Sequence, residues 1–484
     1  CLPAGDSPMS NLSEGAEVLF EPPVLVAACG GRAALLGRRP VRAVVTDSRE
    51  AGPDCLFVAL PGARVDGHSF IGEALQRGAS AVVASEGFWR GAEAQLRPLL
   101  EGRQATLVCV PDTLTTLQRL SAHHLRRFPS VLRIGVTGSN GKTTTKEIIG
   151  SILGLEAPTV ISEGNLNSEI GLPLSCFRVR QQHRFAVFEM GVNRPGEMEV
   201  LADIYRPDFA LITNIGSAHI GPLGSRRGIA REKRKIFRHF DGRQTAFLDE
   251  GEPFFGFLTR GLKGRVVRFG PQSTRGYQGS EDLGLDGSLI HWEGLQIRFP
   301  IFGRHNVSNA LAAISISAEL GLSSSRIGEG LQGVRPLSGR SQILRGAVTV
   351  IQDCYNANPD SVEEVVRFLG GLRWAGRKIG VFGSMKELGS QSAAAHRALG
   401  RVAAGSDLQA LFLFGPETAA AAEAARASGY TGSLFWTEDF QRLREGIRAL
   451  LRPGDLVLLK GSRAVELERL LPDLQYLEGK ASAG

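Results

Sequence analysis

The run Gly135-Val-Thr-Gly-Ser-Asn-Gly-Lys-Thr-Thr-Thr145 constrains this chain more than any other stretch, because it demands a strand before it and a helix after it. Gly138 and Gly141 let the backbone turn its N–H groups toward an anion. Lys142 can reach outer phosphates, and Thr143 can offer its hydroxyl to Mg²⁺. The apolar segment Val131 to Thr137 reads as the strand, and the helix opening at Lys142 carries Ile148, Ile149, Ile152 and Leu153 on one face. Strand, glycine turn and helix in this order imply a mostly parallel sheet whose ligands gather at the carboxyl ends of its strands. A nucleoside triphosphate is the natural ligand. The strict pattern G-x-x-x-x-G-K-[ST] is not met, since Val136 stands five positions before Gly141.

With 484 residues the chain exceeds a single core, and three α/β blocks emerge. Residues 1–130 alternate short β-rich runs, Val41 to Thr46 and Ala79 to Ala84, with helical stretches, ending in the basic segment His123 to Pro129. Residues 131–336 add strands at Phe185 to Glu189 and Asp208 to Asn214 and a helix from Asn306 to Leu320, so Glu189 and Asn214 fall at strand carboxyl ends. Residues 337–484 read as Rossmann-like, with strands at Lys378 to Phe382, Leu411 to Phe414 and Leu456 to Leu459. Helices such as Ala393 to Ala403 and the alanine-rich run Thr418 to Ala425 separate them. No G-x-G-x-x-G follows any strand there, so a dinucleotide is not expected.

Composition removes several classes. Cys1, Cys29, Cys55, Cys109, Cys176 and Cys354 are scattered without a C-x-x-C pair, which fits a reducing cytoplasm and neither a structural zinc nor a disulfide framework. No transmembrane segment is expected, since the apolar run from Val24 is broken by Gly30, Gly31 and Arg32. The start at Cys1 reads as a start-site artefact, with Met9 the expected beginning. A net charge of +7, with Arg226, Arg227, Arg231, Lys233, Arg234, Lys235 and Arg238 packed together, raises nucleic acid as a partner. No nucleic-acid module signature accompanies the cluster, and a polyanionic small substrate or a solvated helix face accounts for it.

Mg²⁺ bound with a nucleotide takes hard oxygen ligands, and Thr143 with Glu189 forms such a pair. Asn306 and Asn309, three apart at a helix start, share a face, where asparagine serves equally as a helix cap or a ligand contact. His219 and Lys233 follow a strand end and lie on a basic helix.

Taken with their neighbours, these segments resemble the Mur ligases, which build the peptidoglycan stem peptide. Residues 137–147, T-G-S-N-G-K-T-T-T-K-E, are similar to the family's ATP loop. Residues 188–197 resemble its acidic strand end followed by N-x-P-G-E, and residues 213–219 its N-I-x-x-A-H, whose histidine helps hold a second Mg²⁺. Residues 228–237 are similar to the segment with the family's carbamylated lysine. Lys235 stands where an acid is common, so two lysines compete, and the Ala-Arg-x-Lys register favours Lys233. Residues 164–171 resemble G-N-x-N-N-E-I-G with Ser168 in place of an asparagine, and residues 303–309 the G-R-H-N-x-x-N of the adenine site. Residues 353–361 match D-x-Y-N-A-N-P-x-S, and residues 459–463 carry K-G-S-R. Residues 383–389, followed by His396, resemble G-D-M-x-E-L-G with Ser384 replacing the acid. Asp47 to Arg49 and Asp66 to His68 resemble the D-S-R and D-G-H of the uridine-nucleotide domain.

The resemblance implies a uridine-nucleotide domain, a central P-loop ATPase domain and a C-terminal Rossmann-like ligase domain. It implies Lys142, Lys233 and His219 as catalytic residues. Gly138, Ser139, Asn140, Gly141, Lys142, Thr143, Thr144, Asn306, Asn309, Arg340, Asp353 and Tyr355 would bind ATP. Ser48, Arg49, Asn165, Asn167, Asn356, Asn358, Lys460 and Ser462 would bind substrate. Thr143, Glu189, His219 and Lys233 as its carbamate would hold two Mg²⁺. The implied reaction is ATP-dependent and ADP-forming. It joins D-alanyl-D-alanine to UDP-N-acetylmuramoyl-tripeptide through an acyl phosphate, as the last cytoplasmic step of the stem peptide, by a monomer that binds no nucleic acid. Y-N-A-N-P-x-S with K-G-S-R separates this from the family's third-residue ligase, whose D-N-P-R is absent. The competing readings are another ligase of the superfamily and a nucleotide-binding regulator that has lost turnover, the latter motivated by Ser384 and Lys235.

Overall fold

A computed structural model describes residues 17–62 and 65–475; Cys1 and Met9 lie outside them. The described residues form two compact units, those within 1–135, 158–190 and 199–207 in the first, and those within 136–157, 191–198 and 208–484 in the second. The strand Leu132–Thr137 passes from one to the other.

The first unit holds a five-stranded sheet in the order Arg32–Leu35, Thr106–Val110, Ala81–Ser85, Cys55–Val58, Ala43–Val45. All neighbours are parallel except the first pair. Cys55–Val58 and Thr106–Val110 are buried at every position, which is why they read as unbroken apolar runs rather than alternating ones. Helix Glu86–Gly102 starts at Ser85, whose hydroxyl accepts from the Phe88 N–H, and turns Trp89, Leu96 and Leu100 inward. Strands Thr159–Ile161 and Phe185–Glu189 pair in parallel in the same unit.

In the second unit, strands Phe209–Ile212, Thr245–Asp249 and Arg265–Phe269 are parallel neighbours. Helix Lys142–Glu156 buries Ile148, Ile149, Ile152 and Leu153 and packs against helices Arg304–Glu319 and Ser324–Gln332. An antiparallel ribbon of Tyr277–Asp282, Ser288–Trp292 and Leu295–Phe299 follows. Its second turn is Glu293-Gly294, both residues at positive φ (47° and 78°), the two-residue geometry that matches strand twist. A six-stranded sheet then runs Gln342–Leu344, Thr349–Gln352, Leu456–Lys460, Lys378–Gly383, Ala410–Phe414, Ser433–Thr437, parallel except for its first strand. The alanine-rich run forms helix Ala419–Ala427.

Candidate active site

The phosphate loop is built as its glycines require. Gly138 has φ +149° and Gly141 φ +78°, and a Cβ at Gly138 would strike the Thr213 hydroxyl, while one at Gly141 would lie 2.5 Å from Asn309 Oδ1. The loop is braced from the segment after strand Phe209–Ile212. Ser139 N–H donates to Asn214 O at 3.0 Å and Asn140 N–H to Asn214 Oδ1 at 3.1 Å. The Thr213 hydroxyl and Asn214 amide donate to Asn140 O at 2.6 and 3.1 Å, and Gly216 N–H donates to Ser139 Oγ at 2.8 Å. Lys142 Nζ reaches back over the loop to Gly138 O (3.0 Å) and Ser139 O (3.4 Å), placing its ammonium at the mouth of the cradle. Thr143 is buried and Thr144 half-buried in the first helical turn. A cradle that any Cβ would fill, fronted by an ammonium and a helix N-terminus, fits a polyphosphate.

One C-terminal helix, Pro359–Gly371, lies against this loop within the second unit. Asn358, its cap in a capping box with Ser361, donates its amide to Asn140 Oδ1 at 2.6 Å. Asp360 accepts from the Ser217 N–H and hydroxyl, both at 2.6 Å. Four and eight residues on, Glu364 pairs with His305 at 3.0 Å and Phe368 stacks on Phe302 with centroids 4.6 Å apart. His219 Nδ1 meets Glu387 Oε2 at 2.5 Å, and this partner holds the Glu387 carboxyl below its ordinary range. Both residues sit in the left-handed region (φ 60° and 63°), a strain of about 1–3 kcal/mol each that surrounding contacts must overcome. The bond to Nδ1 turns Nε2 of His219 away from Glu387.

The two competing lysines differ. Lys233, on helix Arg226–Arg234, is 1% exposed, whereas Lys235 is half-buried and pairs with Glu232 Oε2 at 2.7 Å. Glu232, itself buried, accepts from Gly196 and Met198 N–H at 3.0 and 2.9 Å and so anchors the start of helix Glu197–Tyr205. Glu189, 2% exposed at its strand end, accepts from the Asn167 amide at 2.8 Å, and its N–H donates to Ser162 Oγ at 3.1 Å. Buried hydroxyl and carboxylate donors are the hard oxygens that Mg²⁺ takes.

Asn306 and Asn309 do not cap their helix, which begins at Arg304 with Gly303 in the cap position. Both are buried. Asn309 donates to Asn306 Oδ1 at 3.0 Å, and Asn306 donates to Phe302 O at 2.8 Å. Arg340 lies over the Tyr355 ring at 3.8 Å, and Asp353 accepts from Lys460 Nζ at 2.8 Å. Lys460 also donates to Asn356 O at 3.0 Å, while Ser462 Oγ accepts from Lys386 N–H at 2.9 Å. The segment 353–362 is thereby tied to the end of strand Leu456–Lys460. His396 is buried, with Nε2 accepting from Met385 N–H at 3.0 Å. Ser384 is buried beside Glu417. Burial opposes ionisation of Glu417, but the Lys386 ammonium, 2.6 Å away, and the Ser384 hydroxyl outweigh it and bring the carboxyl down to about 2. An acid at position 384 would crowd a second carboxylate against that pair, so serine suits it here.

In the first unit, Ser48 is buried and donates to Glu73 Oε2 at 2.9 Å, and Arg49 forks onto Asp47 at the surface. The D-G-H segment has a structural explanation: Asp66 Oδ1 meets His68 Nδ1 at 2.6 Å, leaving Nε2 to accept from Ser85 N–H at 2.9 Å. Asn165 is exposed next to half-buried Asn167. Sequence reasoning missed Thr213, Asp360 and Glu387. Asp360 reads locally as an acid in a first helical turn, which the helix dipole already explains, and no periodicity reports its partner.

This arrangement is that of an α/β protein with a phosphate-binding loop at a strand's carboxyl end and a second, Rossmann-like sheet contributing to it. Residues 40–125 match the Mur ligase family catalytic domain, 136–317 the Mur ligase middle domain, and 339–463 the Mur ligase glutamate ligase domain. A UDP-N-acetylmuramoyl-tripeptide–D-alanyl-D-alanine ligase of Treponema pallidum (strain Nichols) is 42% identical over 440 residues, covering 91% of this chain and 95% of that one. The crystal structure of MurF from Acinetobacter baumannii superposes with a TM-score of 0.84 at 32% identity, covering 94% and 99%. MurF ligase of Thermotoga maritima in complex with ADP gives a TM-score of 0.75 at 28% identity, covering 91% and 99%. The chain belongs to the Mur ligase family.

Proposed function

We infer that this chain is an ATP-dependent ligase that joins D-alanyl-D-alanine to UDP-N-acetylmuramoyl-tripeptide in peptidoglycan synthesis. The observation that carries the reading is the braced phosphate loop with Asn358 and Asp360 against it, in a chain 42% identical along nearly its whole length to a relative named for that reaction. The three-domain division at residues 130 and 336 is our proposal, and the matched segments fall within it.

In the proposed reaction a terminal carboxylate oxygen of the tripeptide attacks the γ-phosphorus of ATP and ADP leaves, giving an acyl phosphate. The amine of D-alanyl-D-alanine attacks the acyl carbon, phosphate leaves, and the amine sheds a proton as the peptide bond forms. Gly138 to Thr144 cradle the phosphates, and Lys142 neutralises charge as it moves to the leaving oxygen. Thr143, Glu189, His219 and Lys233 as a carbamate would hold Mg²⁺, which screens the phosphate charge when bound. Glu387 orients His219. We assign Asn306, Asn309, Arg340, Asp353 and Tyr355 to the nucleotide, and Ser48, Arg49, Asn165, Asn167, Asn356, Asn358, Lys460 and Ser462 to the substrates. No protein nucleophile is required; catalysis is positioning and water exclusion. We place the enzyme in the cytoplasm, where its ATP is made, acting as a monomer.

The test is phosphate release by the purified protein with ATP, Mg²⁺, UDP-N-acetylmuramoyl-tripeptide and D-alanyl-D-alanine, each omitted in turn. Release that requires both the tripeptide and the dipeptide is expected. Nucleotide binding without release under any of these conditions would overturn the assignment.

A further inference from the structure

The excess positive charge of this chain sits in one stretch. Residues 226–268 hold twelve Lys and Arg against five Asp and Glu, a formal +7 that equals the +7 of all 484 residues, so the remainder of the chain balances to zero. Some of that charge is consumed internally, since Lys233 is buried, Lys235 pairs with Glu232, Arg243 with Asp241, and Arg265 with Glu319. Arg227, Arg231, Arg260, Lys263 and Arg268 are exposed and make no ion pair among the described residues.

Three arginines of this stretch, Arg227, Arg234 and Arg268, lie against phenylalanine rings. Arg227, Arg231 and Arg234 recur at i, i+4 and i+7 along helix Arg226–Arg234, on the side away from buried Ile229, Ala230 and Lys233. Phe257 lies between Arg227 and Arg234, at 5.9 and 5.8 Å, and Arg268 covers Phe255 at 4.0 Å. Arg234 also donates to Leu258 O at 3.1 Å, fixing helix Phe255–Thr259 against the basic stripe. Phe254, Phe255 and Phe257 all remain partly exposed.

A surface that pairs a concentrated positive field with half-exposed aromatic rings has the composition of an interfacial membrane contact. Guanidinium groups match phosphate geometry, and long arginine stems can swing to headgroups while the rings settle at the acyl boundary. A nucleic acid would satisfy the charge alone, because these rings lie beneath guanidinium groups rather than open as stacking platforms. We propose that the face formed by Arg227, Arg231, Arg260, Lys263 and Arg268 around Phe255 and Phe257 docks on anionic phospholipid bilayers. Docking there is independent of the ligase reaction.

The full chain is to be sedimented with vesicles of phosphatidylglycerol and phosphatidylcholine, and with phosphatidylcholine alone, across a salt series. Binding is expected only to the anionic vesicles, declining with salt. At roughly 1 kcal/mol per basic residue near such a surface, the R227Q/R231Q/R268Q variant should bind on the order of 100-fold more weakly, with phosphate release unchanged. Phe257→Ser should weaken vesicle binding as well. Sedimentation independent of phosphatidylglycerol, or full affinity in the triple variant, would overturn the proposal. So would unaltered vesicle affinity in Phe257→Ser together with loss of double-stranded DNA binding in the triple variant, which would assign the face to nucleic acid.

Discussion

Replacing Asp360 with alanine asks whether the C-terminal helix completes the nucleotide site. Its carboxylate accepts two hydrogen bonds from Ser217, through the N–H and the hydroxyl, each at 2.6 Å. Bonds to a charged acceptor contribute about 1.5–3 kcal/mol each, and because Asp360 is only half-buried the lower value applies, giving roughly 3 kcal/mol for the pair. If both bonds matter only in the assembled site, kcat/KM for ATP should fall on the order of 100-fold. Ser217→Ala keeps the backbone donor and should lose roughly tenfold, and Asp360→Asn, which keeps an acceptor oxygen, should fall between wild type and Asp360→Ala. The assay is phosphate release against ATP concentration, with thermal melting of each variant to show that the fold is intact. Asp360→Ala activity within about threefold of wild type, or losses from Asp360→Ala and Ser217→Ala that simply add in the double variant, would show that the two bonds do not complete the site.

The two lysines of the basic helix should respond differently. Lys233→Ala should lose at least about 100-fold in phosphate release and recover partly with a short carboxylic acid, whereas Lys235→Ala should change little; the reverse result would move the assignment to Lys235. His124 is fully buried, with Nε2 on Val179 O at 2.9 Å, and burial lowers its pKa from 6.5 to about 4, with Arg180, Arg127 and His123 adding to the effect against the Val179 bond. The unfolded state therefore binds the extra proton first, so this stability is complete above pH 6.5 and declines by about 3 kcal/mol as pH falls toward 4. Hydrogen exchange at the Val82, Val83 and Val108 amides should show that slope in wild type and a flatter one in His124→Gln; equal slopes would show that His124 does not set it.

Local pattern was legible wherever one segment contains its own reason. Phe185–Glu189 is four apolar residues and an acid, and it forms a strand with those bounds. The helix face of Ile148, Ile149, Ile152 and Leu153 was readable from spacing because a helix repeats every 3.6 residues whatever it packs against. The ribbon of residues 277–299 was not read. Tyr277–Asp282 holds a single aromatic among polar residues and glycine, Ser288–Trp292 does not alternate, and the Glu293-Gly294 turn is a weaker signal than Asn-Gly; Leu295–Phe299 alternates apolar and polar at every position and was readable. The antiparallel edge strands Arg32–Leu35 and Gln342–Leu344 escaped likewise, having only three or four half-exposed residues with no clean alternation. In the site, the glycine loop announced itself because the backbone geometry needs those residue types. Asp360 and Glu387 did not, since their partners Ser217 and His219 lie 143 and 168 residues away.

Asn358, Asp360, Glu364 and Phe368 make one edge of a single helix, and that edge rests on the nucleotide loop, on Ser217, on His305 and on Phe302. The same helix is continuous with the segment that Lys460 holds through Asp353 and Asn356. Linkage then imposes a symmetry: if nucleotide tightens this edge and thereby raises the affinity for a ligand at Lys460, that ligand must raise the affinity for nucleotide by the same factor. Order of addition would be a matter of rates alone. A ternary complex could be entered from either side at the same total free energy, and a substitution along the edge, such as Phe368→Ala, would weaken both affinities of the pair together.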